Sequence, residues 1–224
     1  MASLLIIVGG TIAGPIVGTE LVKKRHSSNS TATSTSLHAS STPTATQAPT
    51  TATGTTVETA TPEEIGIGST FNASFTYYGS SDNPGAPTCN TLGTSCGFYT
   101  DPGYASAVSQ NLYGAVPGAG VGLACGTCWK LDASTDTIGN KLPNASSIII
   151  MVNNLCQAAG NTLCGQHNLS STNQFGAQIA FDLCADTQAP EVLFGSSDVA
   201  LALGNATRVY CEEWQGTRVP SGSD

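Results

Sequence analysis

Positive charge is scarce in this sequence. Seven lysines and arginines stand against 15 acidic residues in 224, for a formal net charge of −8. Three of the seven cations are Lys23, Lys24 and Arg25, so the chain beyond residue 25 carries four cations against 14 acids. Nucleic-acid binding needs basic surface to neutralise phosphate, and no nucleic-acid partner is expected. A neutral or cationic partner fits better. Charged residues of both signs make up only 10% of the chain, and mean hydropathy is +0.03. This is neither a charge-rich disordered chain nor a membrane bundle. Histidine is equally thin. Of three, only His167 lies beyond residue 38, which leaves a Ser-His-Asp triad little room and a zinc site short of ligands. There is no GxSxG elbow and no P-loop. The glycine run GAGVG at 118–122 lacks the GxGxxG spacing and a βαβ setting. No metal or cofactor is expected, and no internal repeat of 20–50 residues is visible.

What is present falls into segments. Residues 2–18 are apolar with small residues toward the end, interrupted by Pro15, and a little short for a bilayer. They read as a secretory signal peptide, with KKR at 23–25 as a dibasic processing site, so residues 1–25 form an address. The alternative is a signal anchor whose basic flank stays at the membrane. Residues 26–64 are a Ser/Thr-rich linker: from Ser27 to Thr61, 20 of 35 residues are Ser or Thr, with prolines at 43 and 49. Such a stretch cannot bury enough apolar surface to offset its backbone entropy, and its composition is that of an O-glycosylated stem. The domain spans 65–215, and 216–224 is a tail.

All eight cysteines (89, 96, 125, 128, 156, 164, 184 and 211) lie in that domain. An even count in a secreted chain reads as four disulfides, for which 105 pairings are possible. Five N-x-S/T sequons, at Asn29, Asn72, Asn144, Asn168 and Asn205, agree with a secretory route. Cys125-Gly-Thr-Cys128 lacks a second CxxC, so structural disulfides are preferred to zinc or redox chemistry. Strands are expected at Thr70–Tyr78, Cys128–Leu131, Ser147–Val152, Gln178–Cys184 and Ala206–Cys211. One short helix is expected over Tyr104–Tyr113, where Ala105, Val108 and Leu112 share a face. Many short strands, frequent turn residues and four bridges predict a small, mostly β barrel.

The chemistry-bearing motifs, in order, are NASFTYYGS (72–80), CGTCWKL (125–131), SIIIMVNNLC (147–156), GNTLCGQ (160–166), TNQFG (172–176) and AFDLC (180–184). Over residues 72–214 this series resembles the glycoside hydrolase family 45 endoglucanases, most closely the small fungal subfamily C. More loosely it resembles the expansins and the one-domain loosenins. The resemblance implies a six-stranded double-psi β-barrel, with an open groove for β-1,4-glucan and hydrolysis with inversion. Inversion needs a protonated acid on one side of the bond and a base activating water on the other, roughly 6.5–9.5 Å apart.

On that resemblance Asp182 is the general acid. Its neighbours Ile179, Phe181 and Leu183 are expected to keep it protonated by desolvation. Most of the family carries a basic aspartate at the position of Gly79. Subfamily C lacks it, and Asn161, in the GN motif, matches the asparagine proposed there as a base through its imidic-acid tautomer. Asp82 is an alternative if its loop folds back. Thr76 and Tyr78 match the cleft-facing Thr-x-Tyr, and Tyr78 and Trp129 are expected to contact sugar, with core packing the alternative for Trp129, which follows a cysteine at barrel depth. Tyr77 alternates away and is expected in the core or scaffold. Asn173 matches a cleft amide that orients substrate or water. Asn154, expected among the substrate-binding residues, stands where an aspartate is usual, and Ala180 where a histidine is usual. Trp214 matches the domain's end without an assignable role.

The leading expectation is a secreted, monomeric endo-β-1,4-glucanase, possessing no stable membrane contact once the signal is removed and located outside the cell or at a wall. The second is a non-hydrolytic wall-loosening protein. The third, motivated by Ala180 and Asn154, is a glucan binder without catalysis.

Overall fold

The computed structural model describes residues 65–79 and 88–220. The signal peptide, the whole of the stem, Asp82 and the last four residues of the tail lie outside the described residues. Among the described residues no helix is long and apolar enough to cross a membrane.

Six strands make the barrel: β1 (Thr70–Tyr78), β3 (Ala105–Ser109), β4 (Cys128–Asp136), β5 (Ile148–Cys156), β6 (Ile179–Cys184) and β7 (Ala202–Val209). A short pair, β2 (Phe98–Thr100) with β8 (Arg218–Pro220), stands beside it. The ring closes in the order β1–β6–β3–β5–β4–β7. Two pairings, β1 with β6 and β3 with β5, are parallel, and the rest are antiparallel. This is the double-psi β-barrel architecture, and closure leaves the ring no unpaired edge.

Alternation explains why these sequences line a barrel. Ala73 and Phe75 of β1, Ile179, Phe181 and Leu183 of β6, Val108 of β3, Ile148, Ile150 and Val152 of β5, and Trp129 and Leu131 of β4 all join one buried cluster. The rings of Phe75 and Trp129 lie 6.2 and 5.8 Å from that of Phe181, centroid to centroid.

The expected helix over Tyr104–Tyr113 is mostly strand. Ala105–Ser109 form β3, and only Gln110–Tyr113 make a single turn, α1. β3 finds hydrogen-bonding neighbours on both sides, β5 and β6, and that tertiary pairing overrides a weak local helical preference. The other expected strands are present with shifted ends: β4 and β5 run on to Asp136 and Cys156, while β7 starts at Ala202.

Four disulfides join Cys89 to Cys184, Cys96 to Cys125, Cys128 to Cys211 and Cys156 to Cys164, and no cysteine is free. Cys125 and Cys128 thus serve different bridges. The two widest loops, with separations of 95 and 83 residues, each remove chain entropy worth about 4–5 kcal/mol in the loop-closure picture. Trp214 also has a structural role. Its indole N–H donates to the Tyr104 carbonyl at 3.1 Å. A Cβ at Gly103 or Gly216 would overlap the ring, so both must be glycine for the C-terminal segment to close over it.

Candidate functional site

The outward face of β1, β6, β3 and β5 has a different composition from the core. Register places Thr76 of β1 beside Asp182 of β6, Asp182 beside Ala107 of β3, and Ala107 beside Asn154 of β5. These four residues form a row across the sheet, polar at both ends with a methyl between. Neighbouring strands lie about 4.8 Å apart, so Asp182 and Asn154 are separated by roughly 10 Å of backbone. A second buried cluster surrounds the row: Ala105, Ala107, Ala180, Tyr78 and the Cys89–Cys184 and Cys156–Cys164 bridges, with Leu163 against it. Small side chains keep this floor low.

Asn154 reaches this face because of a bulge. The β3–β5 register runs Ser106 to Val152 and then Ala107 to Asn154, so Asn153 is the extra residue. Before it, Ile148, Ile150 and Val152 point inward. After it Leu155 turns toward the core, while Cys156 belongs to the outer cluster. Bulges recur where a strand must re-aim a side chain.

Asp182 is half-buried. The Thr76 hydroxyl donates to its Oδ1 at 2.7 Å. A hydroxyl can donate to a carboxylate or accept from a carboxylic acid, so Thr76 can hold Asp182 in either state. Ile179, Phe181 and Leu183, expected to surround its carboxyl, instead belong to the barrel core on the opposite face. Beside Asp182 on its own face are Ala180 and Cys184.

Tyr78 is buried, 9% exposed, beside the Cys89–Cys184 bridge. Its hydroxyl donates to the Cys89 carbonyl at 3.4 Å and accepts from Asn154 Nδ2 at 3.1 Å. Burial above all, opposed by the Asn154 hydrogen bond and aided by the charges of Asp182 and Asp186, pushes the phenol up to about 12. Asn154 Oδ1 in turn accepts from the Ser95 and Leu155 amides, both at 2.9 Å. Tyr78 therefore links two walls more than it offers a face to a ligand.

Three expectations need correction. Trp129, expected to touch sugar, is 1% exposed, and its indole N–H donates to Thr127 Oγ1 at 2.9 Å. Strand alternation directs it into the barrel, against Phe71 and Phe181. Tyr77, expected in the core or scaffold, is not core: it is 42% exposed and rests as scaffold against Phe194 of α2 (Ala189–Phe194) at 6.3 Å between centroids. It points to the inward side only after the barrel interior has ended. Asn173 was expected to orient substrate, but its amide is saturated. Nδ2 donates to Ser74 Oγ at 3.0 Å and to the Leu163 carbonyl at 3.3 Å, while Oδ1 accepts from the Phe175 and Ala177 amides. Two donors and two acceptor sites are an asparagine side chain's full capacity, so Asn173 is a positioning residue.

Asn161 lies in the turn closed by the Cys156–Cys164 bridge. Its Oδ1 accepts from the Leu163 amide at 3.0 Å, and its Nδ2 is 3.3 Å from Cys156 Sγ. A donor on Oδ1 favours the ordinary amide over the imidic acid. Asp186, which sequence reasoning missed, accepts from the Cys89 amide at 2.7 Å. It follows Cys184 by two residues, and only the Cys89–Cys184 bridge, which the sequence does not reveal, brings the Cys89 amide to it. The atoms of Cys89, Cys184 and Asp186 cluster closely, but the two sulfurs are bonded to each other, so the group is not a metal ligand set. A hollow of about 530 Å³, lined in part by Tyr104, Ile149 and Val192, includes none of Thr76, Asp182 or Asn154.

Comparison with known proteins gives three results. The family model described as EXPB1-like domain 1 matches residues 73–216. Endoglucanase-5 of Hypocrea jecorina is 33% identical over 101 residues, 43% of this chain and 39% of that protein. The chain thus aligns with well under half the length of this curated relative. Among solved structures, the GH45 endoglucanase EG27II in complex with cellobiose is 22% identical, with a TM-score of 0.44 over 62% of this chain and 80% of that one. The β-1,4-D-endoglucanase Cel45A from the blue mussel Mytilus edulis is 23% identical, with a TM-score of 0.40 over 63% and 80%. With a match that runs from β1 past Trp214, the chain belongs to the EXPB1-like domain 1 family.

Proposed function

We propose that the outward face of β1, β6, β3 and β5 binds β-1,4-glucan and that the domain is an inverting endo-β-1,4-glucanase, with Asp182 as general acid. The observation that carries this reading is the Thr76–Asp182 pair at 2.7 Å on a floor of alanines. A half-buried carboxyl beside a hydroxyl that suits both protonation states is equipped to give a proton to a leaving oxygen. The relative named Endoglucanase-5 points the same way. Asn161 is the base-like partner in this reading, although its Leu163 hydrogen bond works against the tautomer required. The four disulfides support an oxidising, extracytoplasmic setting, in keeping with a secreted monomer.

The test is reducing-end release from mixed-linkage β-glucan and carboxymethyl cellulose, with Asp182→Asn and Asn161→Ala beside the wild type. Release lost in Asp182→Asn is the expected result. Release that survives the change overturns the assignment of the acid.

One observation favours a second reading. Across Ala107 from Asp182 stands Asn154, an amide that cannot take a proton from water near neutral pH. A wall-loosening protein needs binding and no base. It would weaken cellulose fibres without producing reducing ends.

A further inference from the structure

At the far end of β1 from Tyr78, a depression of about 260 Å³ lies between β1, β7 and the turn at residues 173–177. We propose that it is a second saccharide-binding site, in which a pyranose ring rests on Phe175 and is hydrogen-bonded by Asn72 and Asn205. The proposal takes the identity of a glucan ligand from the reading above, but its geometry is independent of Asp182.

The residues fit that ligand class. Phe175 is 36% exposed at the rim of the depression. It is held there by the saturated amide of Asn173, which ties the turn together and fastens it to Ser74 of β1. The turn's own backbone bonds, Asn173 N–H to the Ala177 carbonyl and Gly176 N–H to that of Asn173, add rigidity. A fixed, partly exposed ring offers an apolar face to the C–H side of a sugar, and amides at its margin suit the hydroxyls. Asn72 and Asn205 supply them: they are paired in register on β1 and β7, and both are exposed, so their Cβ atoms are about 5 Å apart. The floor stays at backbone height. Gly204 has no room for a side chain, because a Cβ there would overlap the Asp132 carbonyl, and the space beside Gly176 is open. Asn72 and Thr76 share the outward side of β1, roughly 13 Å apart at 3.3 Å per residue.

The same chemistry has another possible source. Asn72-Ala-Ser74 and Asn205-Ala-Thr207 are both N-glycosylation sequons, so the sugar seated on Phe175 is either a glucan or the chitobiose core of the protein's own glycan. Titration of ¹⁵N-labelled, unglycosylated, disulfide-intact protein with cellotetraose and, separately, chitobiose tests the site. The expected result is movement of the Gly176 and Gly204 amide resonances, with affinity at those amides falling roughly tenfold in Phe175→Ala. Cellotetraose alone moving them assigns the site to substrate, and chitobiose alone assigns it to the glycan core. Failure of both sugars to move Gly176 and Gly204, or equal shifts in Phe175→Ala, overturns the proposal. Movement of Ala107 and Asn154 reports the Asp182 face separately, so failure of either reading is visible without the other.

Discussion

Thr76 and Asp182 are partners in register on adjacent parallel strands, and the hydroxyl of the first lies 2.7 Å from a carboxyl oxygen of the second. Thr76→Val keeps the shape and removes this donor. A carboxylate that loses a hydrogen-bond donor holds its proton to higher pH. The limb of the pH–rate profile set by Asp182 should therefore move to higher pH. If Asp182 is the acid, that is the alkaline limb, and if it is a base it is the acid limb. A purely structural role for Thr76 would lower the rate at every pH without moving either limb.

Asn154→Asp places a carboxylate across Ala107 from Asp182. The Ser95 and Leu155 amides that now donate to Asn154 Oδ1 can donate equally to aspartate. General-base catalysis contributes about 10²–10⁴-fold, so reducing-end release from soluble β-glucan should rise by an order of magnitude or more. An unchanged rate would show that the missing base does not limit this protein from that position.

Tyr78 ties stability to alkaline pH. Its phenol is pushed up to about 12 by burial, against an ordinary value near 10. Between those two values the unfolded chain has released this proton and the folded chain retains it, so stability is lost as pH rises through that window. The loss amounts to about 2 kcal/mol. Denaturant midpoints from pH 8 to 12 should fall less steeply for Tyr78→Phe than for the wild type, and parallel slopes would refute the assignment.

Trp129→Phe should cost roughly 1–3 kcal/mol of stability, because it leaves a void against Phe71 and Phe181 and removes the donor to the Thr127 hydroxyl, which keeps only its bond to the Ala124 carbonyl. Denaturant titration measures this. Affinity for cello-oligosaccharides should stay unchanged, since the indole never reaches the surface.

Much of the fold was readable from the residues because alternation is a two-state signal. Phe75, Ile150 and Phe181 announced their strands, and the cysteine count announced the staples. The pairing of those cysteines was not readable, because it depends on which strand ends meet. β3 was misread as helix because alanine, serine and valine at positions 105–109 suit either state locally, and only the two flanking strands decide. For the site, the residue types at 76, 154 and 182 were legible, but their arrangement in one row was not. Trp129 and Asn173 failed for a shared reason: a side chain's chemistry was read without its partners. An indole with a buried hydroxyl acceptor, or an amide with all its positions occupied, has nothing left to offer a ligand.

The bulge at Asn153 means that β5 is written in two frames. Up to Val152 the even-numbered residues face the core, and beyond it the odd-numbered ones do. Loss of Asn153 would leave the rest of the strand in its present frame, with Asn154 following Val152 outward, Leu155 inward and Cys156 outward toward its partner at 164. Pairing the strand regularly with Asn153 still in it would do the opposite, turning Leu155 toward solvent, Cys156 away from Cys164 and the amide facing Asp182 into hydrocarbon. Deletion of Asn153 should therefore cost far less than deletion of Leu155, because only the first removes a residue that the alternation does not count.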